Sequence, residues 1–143
     1  MNQVPEYYLS LFKRPEAIYV SGNDCSDQGL VFLAEDRFFQ MPLASFSINE
    51  IAAKALAELP KTKNGIVLPP TFKMRTPPPQ FKEWGFKSWA KFEADARLIS
   101  ISQREGRGFI SDYKPNKTGG FVCTGERPLS LTIDALAEEL RKL

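Results

Sequence analysis

One phrase occurs twice in this chain. Pro42-Leu43-Ala44-Ser45-Phe46-Ser47-Ile48-Asn49-Glu50-Ile51-Ala52 returns near the C-terminus as Pro128-Leu129-Ser130-Leu131-Thr132-Ile133-Asp134-Ala135-Leu136-Ala137, one residue shorter. Each copy is an apolar stretch, then a hydroxyl residue suited to a helix N-cap, then an amphipathic helix. Ser47 and Glu50 have the spacing of a capping box, in which each side chain takes an orphan backbone N–H of the other residue. Ile48, Ile51, Ala52, Ala55, Leu56 and Leu59 then share one stripe, and Pro60 ends the helix. Thr132 caps the second helix, whose stripe is Ile133, Leu136, Ala137 and Leu140. Two such helices need a sheet to pack on.

Strand-like segments precede each helix. In the first unit, about residues 7–59, Tyr7–Phe12 fits either a short helix or a strand. Ala17–Val20 reads as a strand, Ser21–Gly29 as a polar turn, and Leu30–Leu33 as the next strand. A tight turn at Glu35-Asp36 is expected to lead into a third, Arg37–Met41. In the second unit, about 88–143, Ser88 is placed to cap a short helix carrying Trp89 and Phe92. Strands follow at Leu98–Ile101, Phe109–Tyr113 and Phe121–Thr124. Gly106-Arg107-Gly108 and Gly119-Gly120 lack the spacing of phosphate-binding loops and read as hairpin turns. The expected fold is α+β: one domain whose largely antiparallel sheet comes from two meander-plus-helix units. The repeat reads as an old duplication in preference to a common local solution reached twice, and neither unit is large enough to stand alone.

The connector, residues 60–87, differs in composition. Lys61, Lys63, Lys73, Arg75, Lys82 and Lys87 against the single acid Glu83 leave it at +5, so the rest of a chain of net charge +2 carries −3. Pro69-Pro70 and Pro77-Pro78-Pro79 favour extended backbone, with Ile66-Val67-Leu68 a candidate strand just ahead of the first pair. Lys61, Lys63, Lys73, Arg75 and Trp84 make a cationic, aromatic set that could hold nucleic acid; the competing reading has the connector aromatics fold back over a sheet face.

Composition narrows the chemistry. The chain has no histidine, which removes Ser-His and Cys-His nucleophile pairs, histidine metal ligation and the usual general base near neutral pH. Cys25 and Cys123 form no Cys-x-x-Cys pair and are expected to be free thiols. Adjacent acids at Glu35-Asp36, Glu93/Asp95 and Glu138-Glu139 read as solvated faces rather than a catalytic pair. No catalytic residue, metal site or cofactor is therefore expected. The N-terminus lacks the basic-then-apolar profile of a signal peptide and no apolar run spans a membrane, so a cytoplasmic protein without a membrane partner is expected. Asn23-Asp24-Cys25-Ser26-Asp27 is not an EF-hand loop, but an acidic hairpin tip there could mimic phosphate toward a basic partner.

Three segments together carry a family resemblance: Gly85-Phe86-Lys87-Ser88-Trp89-Ala90-Lys91-Phe92, the strand Leu98-Ile99-Ser100-Ile101-Ser102, and the closing Leu129–Ala137. They resemble the immunity proteins of bacterial contact-dependent growth inhibition systems. That resemblance implies a small cytoplasmic protein that binds and neutralises a toxin's C-terminal domain, often a nuclease, delivered by a neighbouring cell. It implies no catalytic residue, and the toxin-contacting surface varies across the family. Asp24, Asp27, Glu35 and Asp36 are the candidate toxin contacts, as acids on hairpin tips. Nuclease immunity proteins are frequently acidic, whereas this chain is slightly basic, so either the acidic surface is a local patch or the toxin is not strongly basic. Oligomeric state is left open by the sequence.

Overall fold

The computed structural model describes residues 6–73 and 76–143. Both units build one six-stranded antiparallel sheet in the order β3-β2-β1-β4-β5-β6, from β1 (Tyr7–Lys13), β2 (Ala17–Cys25), β3 (Val31–Pro42), β4 (Arg97–Arg104), β5 (Arg107–Pro115) and β6 (Phe121–Pro128). The helices are α1 (Ile48–Glu58), α2 (Gln80–Trp84), α3 (Trp89–Glu93) and α4 (Ile133–Arg141). Each unit runs three strands and then a long helix, and the units meet at β1 and β4, where Leu9 faces Ile101 and Leu11 faces Ile99. The repeated phrase thus occupies equivalent places on the two sides of this central ladder.

The helices form where their caps put them. Ser47 closes the full capping box with Glu50, and the Thr132 hydroxyl accepts the N–H of Ala135. Both helices lie on one sheet face, over Leu9, Leu11, Ile18, Val20, Ile99, Ile101 and Ile110. Ile51, Ala52, Ala55 and Leu59 of the first stripe, and Leu136, Ala137 and Leu140 of the second, are buried there. Each fully buried aliphatic side chain contributes about 1.5–3 kcal/mol. Ile133, expected within the stripe, is instead exposed beside its cap.

Tyr7–Lys13 resolves as a central strand, because it has neighbours on both edges and a buried residue set on both faces. Three other expectations change. Strand β2 continues to Cys25, so the polar segment from Ser21 is mostly strand, with the turn confined to the residues before β3. Glu35-Asp36 make no hairpin, since Val31–Pro42 is one strand. They sit in a bulge, where register passes from Ser21↔Phe38 to Asn23↔Leu33 and the extra β3 residues swing past Gly22. A Cβ on Gly22 would lie 2.8 Å from the Arg37 Cβ, so only glycine admits this close approach. In the connector, Ile66 makes a single parallel bridge to Ser26 and Val67 is exposed, so no strand forms there.

The second sheet face carries an aromatic layer. Phe12, Tyr19 and Phe38 of the sheet pack with Phe81, Trp84, Phe86, Trp89 and Phe92 from α2, α3 and their junction. The connector aromatics do fold back onto the sheet, over one part of this face. Among the described residues no helix is long and apolar enough to cross a membrane.

Candidate functional site

The rest of the second face is floored by small polar residues. Serine alternates with aliphatic residues in four adjacent strands: Val20-Ser21, Leu9-Ser10-Leu11, Ile99-Ser100-Ile101-Ser102 and Ile110-Ser111. The aliphatic residues point to α1 and α4, so the serines point the other way. Register sets them in a row, Ser21↔Ser10, Ser10↔Ser100 and Ser100↔Ser111, crossing the sheet from β2 to β5. All are buried. At the β5 side the hydroxyls of Tyr8 and Tyr113 lie 2.8 Å apart, and that of Tyr113 lies 3.0 Å from the Ser100 Oγ. Burial, with Tyr113 adjacent, pushes the Tyr8 phenol well above its ordinary value. Burial likewise pushes the Tyr19 phenol up to about 12. Both stay neutral near neutral pH.

Small side chains in the floor leave space above it. A cavity of about 260 Å³ opens over Ser10, Ser21 and Asn23. Its walls are Phe12, Phe32, Leu33, Phe72, Trp89, Leu98 and Phe121, and its mouth carries Glu35, Lys73, Thr76 and Glu93. The connector therefore walls one side, through Phe72 set edge-on to Phe32 at 5.3 Å, and α3 the other. Asn23 is 9% exposed, and its Oδ1 is buried with no hydrogen-bond partner.

The four acids proposed as toxin contacts separate. Asp24 is no tip residue: it lies within β2, 6% exposed, where it accepts hydrogen bonds from the guanidinium of Arg37 and, at 2.9 Å, from the Lys63 N–H. It ties the connector to the sheet and is unavailable to a partner. Asp27 is exposed in the turn before β3, and the bulge turns Glu35 and Asp36 to solvent on the edge strand. Three acids thus remain on one edge of the sheet.

Among the described residues, the basic set is divided between different surroundings. Trp84 packs against Tyr19 and Phe38, with ring centroids 5.1 Å away in both cases, which takes it out of use as a stacking surface. Lys61 pairs with the buried carboxylate of Glu58, Lys63 and Lys73 are exposed, and Arg75 lies outside the described residues. Cys25 and Cys123 are both free, the first buried and the second exposed, and burial raises the Cys25 thiol. No cluster of three or more potential metal ligands occurs among the described residues.

No family model matches the chain, and no curated protein matches it at a significant level. Solved structures do. A protein of unknown function from Neisseria meningitidis superposes with a TM-score of 0.72 at 14% identity, over 99% of this chain and 94% of its own. One chain of a CdiA-CT/CdiI toxin and immunity complex from Yersinia pseudotuberculosis superposes with a TM-score of 0.65 at 14% identity, over 94% of this chain and 93% of its own. The chain shares the fold of a protein found in a toxin and immunity complex. At this identity the likeness speaks for the fold, and it covers the first unit as well as the second.

Sequence reasoning missed the cavity although its signal was present. Serine between aliphatic residues in several strands marks a sheet with one dry face and one that is polar and lightly filled. Asn23 was noticed as a turn residue, and only the length of β2 makes it part of a floor.

Proposed function

We propose that this chain is an immunity protein of a contact-dependent growth inhibition system. It binds the C-terminal domain of a cognate toxin, a nuclease, and protects the cell by occluding that domain's active site, with no chemistry of its own. The observation that carries this reading is the fold likeness, over nearly the whole of both chains, to a chain from a toxin and immunity complex. The sequence resemblance in Gly85–Phe92, Leu98–Ser102 and Leu129–Ala137 points the same way.

Asp27, Glu35 and Asp36 are the proposed contacts with a basic active site. Exposed charges at a rim act mainly on the rate of encounter and on its salt dependence. The test is binding of the full chain to the toxin domain encoded beside its gene, followed by kinetics at low and high salt. Tight binding that abolishes toxin activity is expected. Reversal of all three acids to lysine is expected to slow association at least tenfold at low salt and far less at high salt. No binding to the neighbouring toxin domain would overturn the function; unchanged kinetics in the triple variant would remove this patch from it.

A further inference from the structure

The cavity over Ser10, Ser21 and Asn23 plays no part in that reading beyond sharing Glu35 at its mouth. We propose that it binds a free aromatic amino acid, taking the ring between its walls and holding the α-ammonium and α-carboxylate at its mouth.

The walls select the ring. Two groups of aromatic side chains line the cavity: Phe32 and Phe72, with centroids 5.3 Å apart, and Phe12, which lies 6.3 Å from Trp89 and 6.2 Å from Phe121. Phe32, Leu33, Phe72, Trp89, Leu98 and Phe121 are half-buried lining residues, so apolar surface remains there for a guest to cover. Rings at such spacings favour a flat aromatic guest, offset or edge-on. An apolar cavity of about 150 Å³ takes a benzene ring, so 260 Å³ accommodates an indole side chain. The space is hemmed by the connector and α3, which suits a compact free molecule.

The mouth selects the charges. Glu35 and Lys73 both line it, and both are exposed. They carry opposite charges, yet among the described residues neither makes an ion pair, with the other or elsewhere. Glu35 is held by its backbone carbonyl, which accepts from the Gln80 side-chain amide, and Lys73 directly follows the wall residue Phe72. An unpaired carboxylate and an unpaired ammonium beside one apolar slot match the two charges of an amino acid, ammonium to Glu35 and carboxylate to Lys73. An aromatic amine alone would meet Lys73 as a like charge, and an aromatic acid alone would meet Glu35 as one. An aromatic side chain within a polypeptide brings neither charge.

The experiment titrates the full chain alone, at neutral pH and low salt, with tryptophan, tryptamine, indole-3-propionate and N-acetyltryptophanamide, followed by heteronuclear NMR. Both charge contacts lie at an open mouth, so saturable binding of tryptophan is expected to be about threefold or more tighter than that of each of the others. Shifts should concentrate on the Trp89 indole N–H and the amides of Phe32 and Phe72. Glu35→Gln should weaken tryptophan and leave indole-3-propionate no weaker. Lys73→Met should weaken tryptophan and leave tryptamine no weaker. Both substitutions are at exposed sites, and the comparison of ligands needs neither. Absence of saturable binding to millimolar tryptophan, shifts centred elsewhere, or a variant that weakens all four ligands alike would each overturn the proposal. So would equal affinity for N-acetyltryptophanamide, which would make the guest a side chain of a protein partner. No toxin enters this assay, so its failure leaves the immunity reading untouched, and the reverse holds.

Discussion

Arg127 on the edge strand β6 holds Glu139 of α4 through two hydrogen bonds, of 2.9 and 2.7 Å. The same guanidinium reaches Asp112 of β5 at 3.2 Å, so one side chain joins the outer edge of the sheet to the helix that closes the fold. Hydrogen bonding from Arg127, against the opposing effect of burial, holds the Glu139 carboxyl below its ordinary value of 4.5. A carboxyl lowered in the folded state adds stability above the unfolded value and loses it as pH falls through the folded one. Arg127 is 46% exposed, so screening keeps the effect modest. Glu139→Gln should cost on the order of 1 kcal/mol at neutral pH. Urea midpoints of the two proteins, measured from pH 7 down to about 3, should converge at the acid end. A gap that persists or widens on acidification would remove the carboxylate from the account.

The Asp24–Arg37 pair is a different case, because both side chains are buried. Asp24→Ala would leave the guanidinium only the exposed Asp36 carboxylate, 3.8 Å away, and free the Lys63 N–H that anchors the connector. Breaking a buried pair from one side costs about 3–5 kcal/mol, whereas replacing both partners with apolar groups is often far cheaper. Asp24→Ala combined with Arg37→Met should therefore recover most of the loss in equilibrium urea unfolding. Equal destabilisation by the single and the double change would place the cost in the connector anchor alone.

These two arginine clusters show where the sequence is legible. The caps Ser47 and Thr132 and the stripes below them could be read directly, because helix signals are local. The antiparallel α+β arrangement followed from them. Asp24 and Glu35 could not be placed, because a bulge depends on the partner strand: only the register with β2 decides which β3 residues swing outward. The cavity was half legible, since the serine alternation is local whereas the walls come from a connector whose path tertiary packing sets.

Phe92 is the centre of the aromatic layer, fully buried between the sheet and the short helices. Its ring lies 4.9 Å from Tyr19 and 4.9 Å from Phe81, and 5.1 Å from Phe12. α2 and α3 are five residues each, too short to persist without this packing. Phe92→Ala should cost about 3–5 kcal/mol and collapse the near-ultraviolet dichroism of the layer. Ala90→Ser, at an exposed site on the same helix, should do neither.

The β4–β5 hairpin sets two glycines side by side with unlike reasons for being there. Glu105 and Gly106, at φ 51 and 75, are the two residues of a tight turn between the partners Arg104 and Arg107. That backbone matches the right-handed twist of the strands and favours glycine. A Cβ on Gly106 would meet nothing within 4 Å, so Gly106→Ala should cost only the strain of its dihedral, about 1 kcal/mol. Gly108 has no such conformation, but a Cβ there would fall 2.4 Å from the Leu129 carbonyl oxygen and 2.5 Å from the Leu131 Cγ. The Leu129 N–H also donates to the Gly108 carbonyl at 3.0 Å, so the obstructing backbone is itself tied down. Gly108→Ala must push away the segment that leads into the Thr132 cap, at about 1–3 kcal/mol. Thermal unfolding should rank Gly108→Ala below Gly106→Ala, and amide exchange should quicken in α4 for Gly108→Ala alone. The opposite ranking would mean that turn geometry, not the close approach of the repeated phrase, is what this glycine serves.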